Sequence, residues 1–211
     1  MERLSSYDCD SCYNPFNYRF LCLLMKAQSL PLSGLILFTP EIFSDTRGYF
    51  MECFRASGFE KALMDSGQAA VTLVQENHSC SGAGVLRGLH FQRQYPQGKL
   101  IRVISGEIYD VAVDIRPQSP TFGKWHGLYL SAQNRCQLWI PPGFAHGFYV
   151  TKGPAEVIYK CSDYYQPGDE GAIVWNDADL AIDWPLNIAQ GEPLLSAKDR
   201  QAKPFCAQKW V

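Results

Sequence analysis

Residues 97–116 read QGKLIRVISGEIYDVAVDIR, and this run decides the fold class. Its two halves, Lys99 to Ser105 and Glu107 to Arg116, are rich in the Val, Ile and Tyr that suit a pleated, half-buried surface, and SerGly at 105–106 reads as a turn between two strands. The same pattern recurs on both sides, in Gly84 to Phe91, Lys124 to Leu130, Cys136 to Ile140 and Ala155 to Cys161. Between these runs lie credible turns: Pro117 to Gly123, AlaGlnAsn at 132–134 and ProGlyAspGlu at 167–170. Many short strands punctuated in this way predict an all-β sandwich or barrel. Helix is scarce. Ser57-Gly58-Phe59-Glu60 reads as a capping box that starts one short helix, with Phe59, Ala62 and Leu63 on one face and Gly67 as its stop, and a second helical turn is expected from Ser196.

The chain has 211 residues, 46% hydrophobic and 19% charged, which suits one large folded domain and is too apolar for a disordered chain. Nineteen Lys and Arg against 21 Asp and Glu give a net charge of −2, so no global positive field draws the protein to nucleic acid or to an anionic membrane. Apolar runs such as Leu35 to Phe38 fall far short of the roughly 20 residues of a spanning helix. Eight cysteines at 9, 12, 22, 53, 80, 136, 161 and 206 form neither a zinc-ribbon spacing nor a compact disulfide framework, and Cys9 and Cys12 stand without a second CxxC. Reduced thiols and a cytoplasmic location are the expectation.

Residues 1–24 hold three of those cysteines, no clear period and no basic, apolar leader, whereas patterned sequence begins near Leu30. The expected organisation is a non-conforming extension over 1–24 and a single domain over 25–211. Met25 would serve as the true start if an upstream codon has been misassigned, and a loosely docked arm is the alternative.

Within the strand region, Gly84, His90, Gln92, Lys99 and Gly106 follow a spacing that resembles the first motif of the cupins, small jelly-roll β-barrels, and Pro141, Gly143 and His146 resemble the second. Metal-dependent cupins supply two His and a Glu from the first motif, but Gln92 stands at the second His position here and Lys99 at the Glu position. An ammonium among the ligands repels a divalent cation, so no metal is expected. The groups that remain, His90, Lys99 and His146, suit proton transfer and stabilisation of an oxyanion.

Longer segments narrow the resemblance. FSDTRGYFMECF (43–54), VQENHS (74–79), GVLRGLHFQ (84–92), the run at 97–116, SPTFGKW (119–125), LWIPPGFAHGFYV (138–150), EVIYKCSDYY (156–165), IVWND (173–177) and LSAKD (195–199) together resemble the dTDP-4-dehydrorhamnose 3,5-epimerase family over about residues 27 to 204. The resemblance implies a cofactor-independent, homodimeric, cupin-type jelly-roll isomerase acting on a dTDP-linked 4-keto-6-deoxyhexose. Epimerisation beside a C4 ketone needs a base, an enolate stabiliser and an acid on the opposite face. The resemblance assigns these as His90 with Asp199 as its orienting partner, Lys99, and Tyr159. Read alone, LSAKD suits Ser196 capping a helical turn with Asp199 at its third position equally well, Lys99 a solvated edge charge, and Tyr159 a buried strand tyrosine.

The diphosphate must be neutralised locally, and Arg47 and Arg87 are the candidates because guanidinium forks bind such groups bidentately. The resemblance adds Glu52, Gln75, Asn77 and Tyr165 near the nucleotide and His146 in the sugar pocket, while His78 and His126 read as surface residues. Rival readings are an epimerase acting at C3 or C5 alone, a non-enzymatic nucleotide-sugar-binding cupin and a metal-dependent oxygenase.

Overall fold

The computed structural model describes residues 25–186 and 192–210, so the expectations for residues 1–24 lie outside the described residues. Eleven strands and two short α-helices follow in the order β1 (Met25–Ser29), β2 (Ile36–Pro40), β3 (Phe43–Asp45), β4 (Gly48–Phe50), α1 (Ala56–Asp65), β5 (Gln75–Ser81), β6 (Leu86–Gln92), β7 (Lys99–Asp114), β8 (Trp125–Ser131), β9 (Gln137–Ile140), β10 (Phe144–Cys161), β11 (Glu170–Ala172) and α2 (Ala197–Arg200). Nine strands form one antiparallel sheet, and β3 and β4 form a separate hairpin.

The expected break at 105–106 is absent: β7 is a single strand of 16 residues, and β10, 18 residues long, runs antiparallel to it from end to end. Gly106 is a kink rather than a turn. Its φ is +73°, and a Cβ there would sit 2.3 Å from the Lys152 carbonyl oxygen and 2.7 Å from that of Pro154, so only glycine lets the two backbones approach at the bend. On one side of the kink β7 pairs with β9, and on the other with β8. β10 likewise pairs with β6 in its first half and β5 in its second. The two bent strands thereby fold the sheet over a shared interior, in which Ile101 and Val103 from one half of β7 pack in the same cluster as Ile108 and Ala112 from the other. This is the all-β architecture that the strand pattern anticipates, in the jelly-roll form that the cupin resemblance implies.

Outer cores cover the two backs of the sheet. Leu86, Leu89, Val111, Val113 and Tyr149 pack under the C-terminal segment with Ile173 and Trp184. On the other back α1 lays Phe59 edge-on against Trp139, ring centroids 5.0 Å apart, with Leu63 beside it. The faces of α1 follow the sequence reading, but its start does not. The N-cap is Arg55, without a side-chain cap, and Ser57 lies inside the first turn. Arg55 enters in extended geometry and its guanidinium pairs with Glu52, so an ion pair, not a capping box, sets the entry. Gly67, at φ +79°, follows the helix end as expected.

Candidate active site

Alternation along the strands decides which side chains face the interior. On β7, Lys99, Ile101 and Val103 share one face, and beyond the kink Ile108, Asp110 and Ala112 do; on β10, Val157, Tyr159 and Cys161 do. On β6, Leu86 and Leu89 share the outer core although three residues apart, because the ladder to β10 shifts register beside Gly88. A Cβ on Gly88 would lie 2.5 Å from the Gly147 Cα, so the close strand approach that turns His90 and Gln92 toward the interior depends on glycine.

At the open end a cleft of about 290 Å³ is lined by Gln75, Asn77, His90, Phe91, Gln92, Pro96, Gln97, Lys99, Phe144, Tyr159, Tyr165 and Glu170. His90 Nε2 lies 2.5 Å from Asp199 Oδ1. The other carboxylate oxygen, Oδ2, accepts from Ser196 Oγ at 2.9 Å, while Ser196 Oγ accepts from the Asp199 backbone N–H at 3.1 Å. The cap and the dyad, alternatives in the sequence, therefore coexist in one side chain. Burial alone lifts the Asp199 carboxyl, but the bond and charge of His90, the Ser196 bond and Lys198 outweigh it and hold the group below its ordinary range. A carboxylate on Nε2 selects the tautomer with its proton there and leaves Nδ1 as the basic nitrogen.

Lys99 faces Cys161 directly across the ladder. Burial draws its ammonium below the ordinary lysine range, opposed by Cys161, Asp110 and Glu170. The Tyr159 phenol is pushed up by burial and by Cys161, and drawn back in part by Arg87 and by Asn77.

Not every expected residue reaches this cleft. Arg47 stands at the tip of the β3–β4 hairpin, 87% exposed and paired with Asp45, and Glu52 is engaged with Arg55. Arg87 donates from Nε to Ser81 Oγ at 2.9 Å and does not line the cleft wall. His146 is opposite His90 in the ladder but lies beneath the wall, its Nε2 2.9 Å from Asp110 Oδ2. Burial pushes its imidazole down, opposed by Asp110, with Lys99 and His90 adding to the fall. His78 is an exposed partner of Glu156, whereas His126 is partly buried and correspondingly harder to protonate, so it is not the plain surface residue expected.

Sequence reasoning missed Asp110, fully buried behind His146, and Glu170, which it counted only as part of a turn. Glu170 pairs with Lys198 and is held below the ordinary carboxylate range chiefly by that bond. Gln92 has a structural use: its Nε2 donates to the Tyr95 carbonyl at 2.6 Å and its Oε1 accepts from the Gln166 N–H at 2.8 Å, tying together the two loops that rim the cleft. The donor set does not suit a divalent ion, since Gln92 is engaged, both imidazoles are gripped by carboxylates and an ammonium stands among them.

Fold and cleft together define a jelly-roll protein with a carboxylate-gripped imidazole, an ammonium and a phenol around one opening. The profile described as dTDP-4-dehydrorhamnose 3,5-epimerase matches residues 29–207, and the chain belongs to this family of isomerases. A dTDP-4-dehydrorhamnose 3,5-epimerase of Pseudomonas aeruginosa is 53% identical over 181 residues, covering 86% of this chain and 96% of the relative. One of Neisseria gonorrhoeae is 57% identical over 174 residues, covering 82% of this chain, which spans about half (51%) of that relative's length. Among solved structures, the Legionella pneumophila dTDP-6-deoxy-D-glucose-3,5-epimerase in complex with dTDP-4-keto-L-rhamnose superposes with a TM-score of 0.82 at 47% identity, covering 88% of this chain and 95% of that one. ChmJ, a 3′-monoepimerase from Streptomyces bikiniensis in complex with dTDP-quinovose, reaches 0.76 at 33% identity, with 84% and 86% covered.

Proposed function

We propose that the chain converts dTDP-4-dehydro-6-deoxy-D-glucose to dTDP-4-dehydro-L-rhamnose by inverting C3 and C5, without metal or cofactor, in dTDP-L-rhamnose biosynthesis. The observation that carries this reading is the His90–Asp199 pair opening on the same cleft as Lys99 and Tyr159. His90, held by Asp199, takes the proton beside the C4 ketone. The Lys99 ammonium stabilises the enolate oxygen that forms. Tyr159 delivers a proton to the opposite face, and solvent then reprotonates the phenolate and relieves the imidazolium, so the catalyst returns unchanged. Arg87 neutralises the diphosphate, Gln75, Asn77 and Tyr165 support the bound nucleotide sugar, and His146 backs the wall beneath it.

The functional unit is residues 25–211 acting as a cytoplasmic homodimer, with residues 1–24 dispensable. Among the described residues no helix is long and apolar enough to cross a membrane. Exposed Phe43, Tyr49 and Phe50 on the β3–β4 hairpin support a self-association surface, and Arg47 and Glu52 meet substrate only if assembly carries that arm to a cleft. The test is NMR of the 4-keto substrate with the protein in deuterated buffer. Deuterium at both C3 and C5 with inversion at each is expected. Exchange and inversion confined to C3 would make the protein a monoepimerase, and neither exchange nor turnover would leave a binding protein.

A further inference from the structure

The orientation of Asn77 follows from a chain of donors that begins at the cleft rim. The backbone N–H of Tyr165 can only donate, and Gln75 Oε1 accepts from it at 2.9 Å. Gln75 must then turn its NH2 the other way, where Nε2 donates to Asn77 Oδ1 at 3.1 Å. With its oxygen taken, Asn77 presents its own NH2 forward, 3.7 Å from Cys161 Sγ on one side. Tyr159 is the direct cross-strand partner of Asn77 in the β5–β10 ladder, and both side chains line the cleft.

We propose that Asn77 is a positioning residue for Tyr159: its amide N–H donates to the phenol oxygen, leaving the phenol proton free to point at the substrate carbon, with Gln75 fixing the amide's direction. The assignment rests on the reading of Tyr159 as the acid and gives Gln75 and Asn77 a part in the proton transfer itself. The same hydrogen bond stabilises the phenolate left after transfer, in keeping with the downward pull of Asn77 on the Tyr159 phenol.

Three variants assayed with the 4-keto substrate in deuterated buffer test it. Asn77→Ala removes the donor, and the ratio of inversion to deuterium exchange should fall roughly tenfold, over and above any rise in KM from a lost substrate contact, as befits one lost bond to a developing phenolate. Gln75→Glu keeps the acceptor for the Tyr165 N–H but cannot donate to Asn77, whose amide must flip and offer the phenol an acceptor, so the ratio should fall again although side-chain size is unchanged. The alkaline limb of kcat should move up in Asn77→Ala, because the phenol loses a bond that favours its ionised form. Raised KM with an unchanged ratio and pH profile in both variants would overturn the proposal and leave Gln75 and Asn77 as nucleotide contacts. Tyr159→Phe is the reference: if it inverts at the wild-type rate, the reading of Tyr159 as the acid has failed independently of Asn77.

Discussion

Asp199 divides its carboxylate between two tasks, one oxygen gripping His90 and the other receiving the hydroxyl of the residue that caps its own helix. Only the second is local. The partner in the first lies 109 residues away, which is why the sequence around LSAKD supports a cap as readily as a dyad and the family resemblance alone singles out Asp199. Asp110 is hidden for a related reason: in a strand buried on both faces a polar residue among YDVAVD looks like ordinary alternation, and only the ladder puts it against His146. Gln92 was legible in the negative sense, as a metal ligand replaced, although its bonds to two loop backbones were not. Exhaustive chelation should therefore leave turnover unchanged; a stoichiometric transition metal whose removal abolishes activity would refute the metal-free reading. Arg87 stands beside the cleft with its charge felt at Tyr159. Arg87→Ala should raise KM by about ten- to a hundredfold, the loss of one charge-assisted contact of roughly 1.5–3 kcal/mol, with a smaller fall in kcat. A pure kcat effect would move Arg87 from the diphosphate to the acid.

The long strands were legible in composition but not in continuity. SerGly at 105–106 carries a turn signal because glycine at positive φ usually serves a turn, whereas here the same freedom serves a bend inside β7, where the two long strands need their backbones in contact. The link from β7 to β8 shows how such elements are tied off. Asp114, fully buried at the end of β7, accepts five hydrogen bonds: from the Arg116 backbone N–H, Nε and Nη2, and from the hydroxyls of Ser119 and Thr121. Arg116 in turn lies over the Phe144 ring that lines the cleft, 4.6 Å from its centroid. Asp114→Ala should cost about 3 kcal/mol in urea unfolding, since it strands a guanidinium and two hydroxyls that are largely out of water. Burial alone raises this carboxyl, but its donors outweigh that and set it below the ordinary carboxylate range. A depressed folded value means the contribution is complete above the unfolded carboxylate value and is lost as pH falls through the folded one. Asp114→Asn should remove that part of the acid slope, and an unchanged slope would show that the carboxylate is not what ties off the loop.

At the scale of the whole molecule, the interior is graded from end to end. Leu, Ile and Val fill the closed end, while His90, Lys99, Tyr159 and their carboxylate partners gather at the open one. Burial there acts on the ionisable groups together, drawing Lys99 and His146 down and Tyr159 up. That the fold is all-β follows from hydrophobic patterning, and its jelly-roll form from the cupin resemblance; the convergence of β5, β6, β7, β10, β11 and α2 on one opening was not legible, because it depends on strand order and register. In the proposed mechanism base and acid are separate groups acting on opposite faces of one sugar. This division is tested most directly by following deuterium uptake and product configuration for His90→Ala and Tyr159→Phe side by side. Tyr159→Phe should still exchange substrate hydrogen with retained configuration while inversion falls by roughly 10²–10⁴-fold, and His90→Ala should lose exchange and inversion together. Near wild-type inversion by Tyr159→Phe, or free exchange by His90→Ala, would contradict it.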